Sequence, residues 1–199
     1  EYQDTNDLQE EFVSLIAKNN VYMVGDIKQS IYGFRNANPL IFKGKYDKYS
    51  ENNDGIKIDL LNNFRSRKEV LEGINKLFNL IMDDDIGGAN YPASHQMIFG
   101  NMSYEENKNH MQNYDLELFN YQKSDNKYSS EEIESFIIAK DILNKIDAKY
   151  EVVDKQSGSL RICDFSDFCI IMDRNTSFPV YKKVFEYLKI PLVIYEDSK

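Results

Sequence analysis

Residue types that handle phosphates and nucleobases crowd into one stretch of this chain. Asp26, Lys28, Gln29 and Ser30 are followed at once by Tyr32, Gly33, Phe34 and Arg35. A glutamine amide can hydrogen-bond a phosphate oxygen. An aromatic ring beside a guanidinium can stack on a base while the cation holds a backbone phosphate. A loop with a phosphate sensor at one end and a stacking platform at the other would couple nucleotide state to strand binding. A second pair, Phe64 and Arg65, precedes a predicted helix start, a favourable place for an anion. A plainer alternative stands beside each pair, in which the phenylalanine packs on the protein and the arginine is a solvated charge.

The elements that must position these residues follow from the apolar pattern. Val21 to Val24 has the length and β-branched content of a buried parallel strand. In an open α/β sheet, ligands bind outside the carboxyl ends of the strands, where the loop after Asp26 would lie. Ile56, Ile58 and Leu60 alternate and predict a second strand running through Leu61 towards Phe64. Ser66 with Glu69 reads as a capping box opening a helix that carries Val70, Ile74, Leu77, Phe78 and Ile81.

Upstream, a cap among Thr5, Asn6 and Asp7 starts an amphipathic helix running to about Lys18. Asn38-Pro39 starts another, with Ile41, Phe42, Tyr46 and Tyr49 on one face. The order helix, strand, loop is half of a βαβ unit without its first strand, so a chain cut inside a domain is expected. Downstream, strands are predicted at Asp115–Tyr121, Phe168–Met172 and Leu192–Tyr195, with a hairpin joining Tyr150–Val153 to Leu160–Ile162. Ser129 and Glu132 form a capping box for a helix through Ile146, and a further helix spans Pro179–Leu188. Asp83 to Tyr114 has no pattern and is expected to be a long surface excursion, with His95 and His110 as surface residues.

Composition narrows the classes. With 199 residues, 42% of them apolar, the chain suits a folded protein rather than a disordered one. No apolar run is long enough for a membrane span. Cys163 and Cys169 lie in or beside apolar segments and are expected to be reduced and buried, which fits a cytoplasmic protein without a zinc site. A net charge of −9, from 24 basic and 33 acidic residues, argues against nucleic-acid binding by bulk charge. Any strand contact must come from a local groove.

Three stretches together resemble superfamily 1 helicases of the UvrD/Rep type. Glu1-Tyr2-Gln3-Asp4-Thr5-Asn6 looks like motif II without its first aspartate. Val24 to Arg35 looks like motif III, and Leu61-Asn62-Asn63-Phe64-Arg65-Ser66 like motif IV. Within that group the chain is most similar to the helicase–nuclease subunits of the AddA type, through Asn36-Ala37-Asn38-Pro39, Ile86 to Tyr91, and Asp167 to Arg174.

The resemblance implies an α/β fold of RecA-like domains, each a parallel sheet flanked by helices. Residues 1–50 would be the end of the first domain and 51–199 most of the second. It implies ATP with Mg²⁺ as cofactor of the intact protein, single- and double-stranded DNA as partners, and an AddB-like second subunit. It also implies 3′ to 5′ translocation serving double-strand-break repair, with any nuclease activity elsewhere in the full protein.

By the same resemblance, Glu1 matches the carboxylate that activates the attacking water, with Tyr2, Gln3 and Asp4 open to a reading as hydrogen-bonding support for the motif, and Gln29 matches the γ-phosphate sensor. Phe64 matches the aromatic that stacks on adenine, and Arg65 an arginine that reaches the γ-phosphate. Phe34 matches a base-stacking ring, Arg35 a neighbour that couples the two sites, and Arg174 a residue facing the DNA groove.

Departures from the family pattern limit what these residues can do alone. No G-x-x-x-x-G-K-[ST] occurs, since Gly44-Lys45 is followed by Tyr46. The metal-holding aspartate expected before Glu1 is absent, and no carboxylate cluster suggests a nuclease. The chain alone is therefore expected to bind no nucleotide and to hydrolyse none. The competing expectation is a non-enzymatic module, whose acidic surface serves protein partners.

Overall fold

The computed structural model describes residues 1–51, 53–86, 88–104, 113–122, 127–154 and 156–195. It divides into two compact units, Glu1–Asn101 and Met102–Lys199. His110 and Gly87 lie outside the described residues.

The first unit begins with helix α1, Asp7–Ile16. Asn6 caps it in a full capping box, its Oδ1 accepting from the Gln9 N–H at 2.9 Å while the Gln9 side chain accepts in turn from the Asn6 N–H. Helix α2, Pro39–Ser50, opens on Asn38, whose side chain accepts from the Leu40 N–H, with proline at the first position. Its lysines leave the helix sideways to Asp84 (Lys43), Glu10 (Lys45) and Asp54 (Lys48). Strand β1, Asn62–Asn63, precedes helix α3, Lys68–Ile81, and pairs in parallel with β2, Ile98–Phe99.

A polar hub locks residues 89–99 onto α3. Asn75 of α3 accepts from the Tyr91 hydroxyl at 2.7 Å and the Met97 N–H at 3.1 Å, and its amide donates to the Met97 carbonyl. Tyr91 is 1% exposed and its ring lies 5.6 Å from that of Phe78. A buried tyrosine is tolerated there because its hydroxyl has a partner.

The second unit is built on α4, Ser130–Asp147, with Ser129 and Glu132 completing a capping box. A hairpin of β3, Glu151–Val153, and β4, Leu160–Ile162, follows in antiparallel register, Val152 opposite Arg161. Asp154 accepts from the Gln156 and Ser157 N–H groups in its turn, and Gly158 takes φ +69°, a region open to glycine. Arg161 grips Asp167 through both terminal guanidinium nitrogens at 2.6 Å. Helix α5, Phe178–Tyr187, packs on α4 around Ala139, Ile142, Tyr181, Phe185 and Ile190. The Tyr181 hydroxyl donates to Glu134.

Helices and short strands alternate along the chain, but the described strands form only two two-stranded sheets, one of them antiparallel, so the parallel sheet flanked by helices is not seen among the described residues. Val21–Val24, Ile56–Leu61, Asp115–Tyr121, Phe168–Met172 and Leu192–Tyr195 run outside any ladder among the described residues. An apolar or alternating pattern specifies extension and which side faces a core, not the identity of a hydrogen-bonding partner. The facing survives in Phe168, Ile170 and Met172, which pack on the second core while Ile171 is 92% exposed. Cys169 shares that outer side, so of the two free cysteines only Cys163 is buried. The apolar face of α1 (Leu8, Phe12, Leu15, Ile16) is likewise exposed. Among the described residues no helix is long and apolar enough to cross a membrane.

Candidate functional site

The segment after Val24 folds as two short 3₁₀ turns, Ile27–Gln29 and Gly33–Arg35, joined by three residues. Asp26 organises the first turn. Its Oδ1 accepts from the Lys28 N–H at 3.1 Å and from Lys28 Nζ at 2.7 Å, and its Oδ2 accepts from Gln29 Nε2 at 2.9 Å. Burial alone would raise the Asp26 carboxyl, but the hydrogen bonds from Lys28 and Gln29 and the Lys28 charge hold it below its ordinary value. Gln29 is therefore fixed through one amide hydrogen while its side chain stays exposed.

The second turn carries an open aromatic–cation cluster. Phe34 is 77% exposed, its ring 5.8 Å from that of Tyr32. The Arg35 guanidinium lies 5.5 Å from the Phe34 centroid and 5.6 Å from the Tyr32 centroid. Asn36 ends the turn with φ +61°. A phenylalanine packed on the core, the plainer alternative, is not what forms.

Glu1 lies beside this loop. The Tyr2 N–H donates to the Val24 carbonyl at 2.8 Å, and Gln3 Oε1 accepts from the Asp26 N–H at 3.1 Å. The segments holding Glu1 and Gln29 are thus neighbours, although Glu1 itself is exposed.

Phe64 and Arg65 occupy a turn of their own. Asn63 Oδ1 accepts from the Arg65 and Ser66 N–H groups at 3.0 and 2.9 Å, and Asn101 Nδ2 donates to the Phe64 carbonyl. Phe64 is 64% exposed, its ring running over Gly100, where a Cβ would come within 2.9 Å of it. Because Ser66 is drawn into this Asx turn, the helix starts later than expected. Arg67 is the N-cap and no side chain caps α3, so the Ser66–Glu69 capping box is not formed. Arg174 belongs to the second unit, with Asp173 3.6 Å away and both side chains exposed.

These residues suit part of a nucleotide and not the whole of it. The Gln29 amide and the Arg65 guanidinium are donors suited to phosphate oxygens, and the Phe64 ring offers a face to a base. Asp4 Oδ1 is buried without a hydrogen-bond partner, the kind of acceptor that a cation or donor completes. Among the described residues, however, no cluster of His, Cys, Asp or Glu could hold a metal ion. Gln3 is hydrogen-bonding support, as the sequence suggests, while the supporting roles of Asp26, Tyr32 and Asn63 are ones that sequence reasoning leaves unassigned. Their signal is weak because short polar residues in loops have many uses.

Residues 1–50 match the family model of the UvrD/REP helicase N-terminal domain. The chain is also 35% identical over 206 residues to an ATP-dependent helicase/nuclease subunit from Exiguobacterium sibiricum, an alignment spanning 100% of the chain. The protein of the same name in Bacillus cereus is 36% identical over 213 residues, 99% of the chain. That of Oceanobacillus iheyensis is 38% identical over 191 residues, 86% of the chain. Residues 1–50 thus resemble the N-terminal domain of the UvrD/REP helicases, and the chain as a whole is similar to these helicase/nuclease subunits. It spans only 17%, 16% and 15% of the length of these three relatives. The matched region contains the 26–36 loop in full, so Gln29 and the Tyr32–Phe34–Arg35 cluster both fall within it.

Proposed function

We propose that this chain is the part of an ATP-driven DNA translocase that couples γ-phosphate sensing to base stacking. In this proposal the parent protein is the helicase component of a helicase–nuclease complex. It moves 3′ to 5′ on single-stranded DNA in double-strand-break repair, beside an AddB-like subunit. One observation carries the proposal: Gln29, pinned by Asp26, and the exposed Tyr32–Phe34–Arg35 cluster occupy consecutive turns of one loop. A change at the phosphate end has only three residues to cross before it moves the stacking surface.

In mechanistic terms Glu1 orients the attacking water, Gln29 donates to the γ-phosphate, and Arg65 stabilises the charge that develops there. Phe64 stacks on the base of the nucleotide. Phe34 stacks on a base of the strand, while Arg35 and Arg174 face its phosphates. ATP with Mg²⁺ supplies the phosphoryl group and the charge neutralisation when bound. In this proposal residues 1–50 close the first RecA-like domain and 51–199 belong to the second.

The test is DNA-stimulated ATP turnover by the full-length protein that contains this chain. Gln29→Ala is expected to lower it by about 10²-fold and Arg65→Ala by about 10³-fold. Phe34→Ala is expected to weaken single-strand binding by about 1–3 kcal/mol. Turnover that is indifferent to both Gln29→Ala and Arg65→Ala would sink the proposal in favour of a docking module. The chain by itself lacks a phosphate-binding lysine loop, so a malachite-green assay with single-stranded DNA should read as blank.

A further inference from the structure

Resting on that function, we propose that Gln3 is a positioning residue that sets the angle of the Gln29 turn. Gln3 is 3% exposed, a rare burial for an uncharged amide of this length. Its side chain uses both ends: Oε1 accepts from the Asp26 N–H at 3.1 Å, and Nε2 donates to Asp4 Oδ2 at 2.9 Å. Its backbone carbonyl accepts from the Ser30 hydroxyl at 3.4 Å. Gln3 therefore grips the residue that opens the sensing turn and the residue that follows it, bracketing Gln29 from both sides.

The fit leaves no slack. At Gly25 a Cβ would stand 2.9 Å from Gln3 Oε1 and 3.0 Å from the Phe42 ring. The Tyr2 N–H to Val24 carbonyl bond fixes the same two segments one step earlier. The groups presented by the loop, Asp26 N–H and Ser30 O–H, are donors, so the segment at residues 1–4 must offer acceptors. A glutamine does this while donating to Asp4, which a carboxylate could not do. Because Gln3 lies two residues after Glu1, the water-activating carboxylate and the phosphate sensor share one brace.

A buried polar plug would affect stability alone, whereas a brace affects the chemical step. The experiment uses the full-length protein with Gln3→Met, which keeps length and volume but loses the amide. DNA-stimulated kcat should fall about 10- to 100-fold, with the affinity for a fluorescent ATP analogue held within about threefold. Gln3→Glu keeps an acceptor for the Asp26 N–H but sets a carboxylate against Asp4. Its kcat should therefore also fall, to a value between those of wild type and Gln3→Met.

Gln3→Met turnover within about twofold of wild type, in a protein that Gln29→Ala inactivates, would overturn the inference and leave the helicase function standing. Parallel loss of kcat and analogue affinity with a lowered melting temperature would overturn it too, assigning the plug. If Gln3→Met does not fold, Gln3→Glu turnover equal to wild type overturns the inference. Indifference to Gln29→Ala would instead remove the function on which it rests.

Discussion

Replacing Gly25 by alanine tests the packing around the 25–30 loop without any assumption about activity. The new methyl would lie 2.9 Å from Gln3 Oε1 and 3.0 Å from two atoms of the Phe42 ring. Gly25 does not have a positive φ, so the cost is steric rather than conformational. Two relaxations are open. If Phe42 and the backbone give way, overpacking costs about 1–3 kcal/mol. If Gln3 swings aside, the Asp26 N–H loses its acceptor, at about 1–3 kcal/mol for a buried donor. Both routes give a loss of similar size, which for a chain of this length lowers the melting temperature by about 2–10 °C. Circular dichroism melts of the isolated chain read this directly. Gly44→Ala is the control: it lies within α2, a Cβ there meets nothing within 4 Å, and helix propensity alone should raise stability by about 0.5–1 kcal/mol. A Gly25→Ala melt equal to wild type, in the same series in which Gly44→Ala shifts upward, would refute the close approach of Gln3 and the loop.

The other expectations concern both units. Ser129→Ala removes the α4 capping box and should cost about 1 kcal/mol, read as a lower urea midpoint at unchanged slope. Phe185→Ala empties a position only 2% exposed in the second core and should cost about 3–5 kcal/mol, seen as early melting of that unit. His95, 5.6 Å from the Tyr46 ring, has its pKa lowered first by burial and then by the Lys28 and Lys43 charges. Its ring is therefore neutral at pH 7, and the unfolded chain takes up the proton first, so stability should fall as pH drops through about 6.5. An NMR titration with a midpoint at or above that value would contradict this. Asp26 acts at lower pH: its carboxyl is held below the ordinary value, so its contribution is complete above about pH 4 and is lost as pH falls through the folded value. Asp26→Asn should flatten that part of the acid-unfolding curve.

How much of this is legible depends on whether the signal is local. Asn6, Asn38 and Ser129 are readable as caps because a cap needs only its own next three residues. Ser66 meets the same pattern and fails, because Asn63 captures its N–H and moves the helix start to Arg67 and Lys68. The hairpin around Gly158 is readable from its turn. The β1–β2 pairing is not, since it joins two asparagines to Ile98 and Phe99 across an unpatterned stretch. Tyr91 and Asn75 likewise give no periodic sign of the hub that ties that stretch to α3. At the site, Gln29, Phe34, Phe64 and Arg65 stand out by type and by resemblance. Of their braces, Gln3 is readable as hydrogen-bonding support but its partner Asp26 is not, nor is the role of Asn63, because hydrogen bonds between distant loops leave no spacing to recognise.

The three residues between the two 3₁₀ turns, Ser30 to Tyr32, have a mechanical consequence. Each residue contributes two soft torsions, so this connector holds about six, while the turns on either side are stiffened by their own backbone bonds. So short a crank cannot absorb displacement as a floppy tether would. Lengthening it by a single glycine should disconnect its two ends while leaving each turn intact, making the 30–32 spacing, more than any side chain within it, the quantity that an engineered variant would have to preserve.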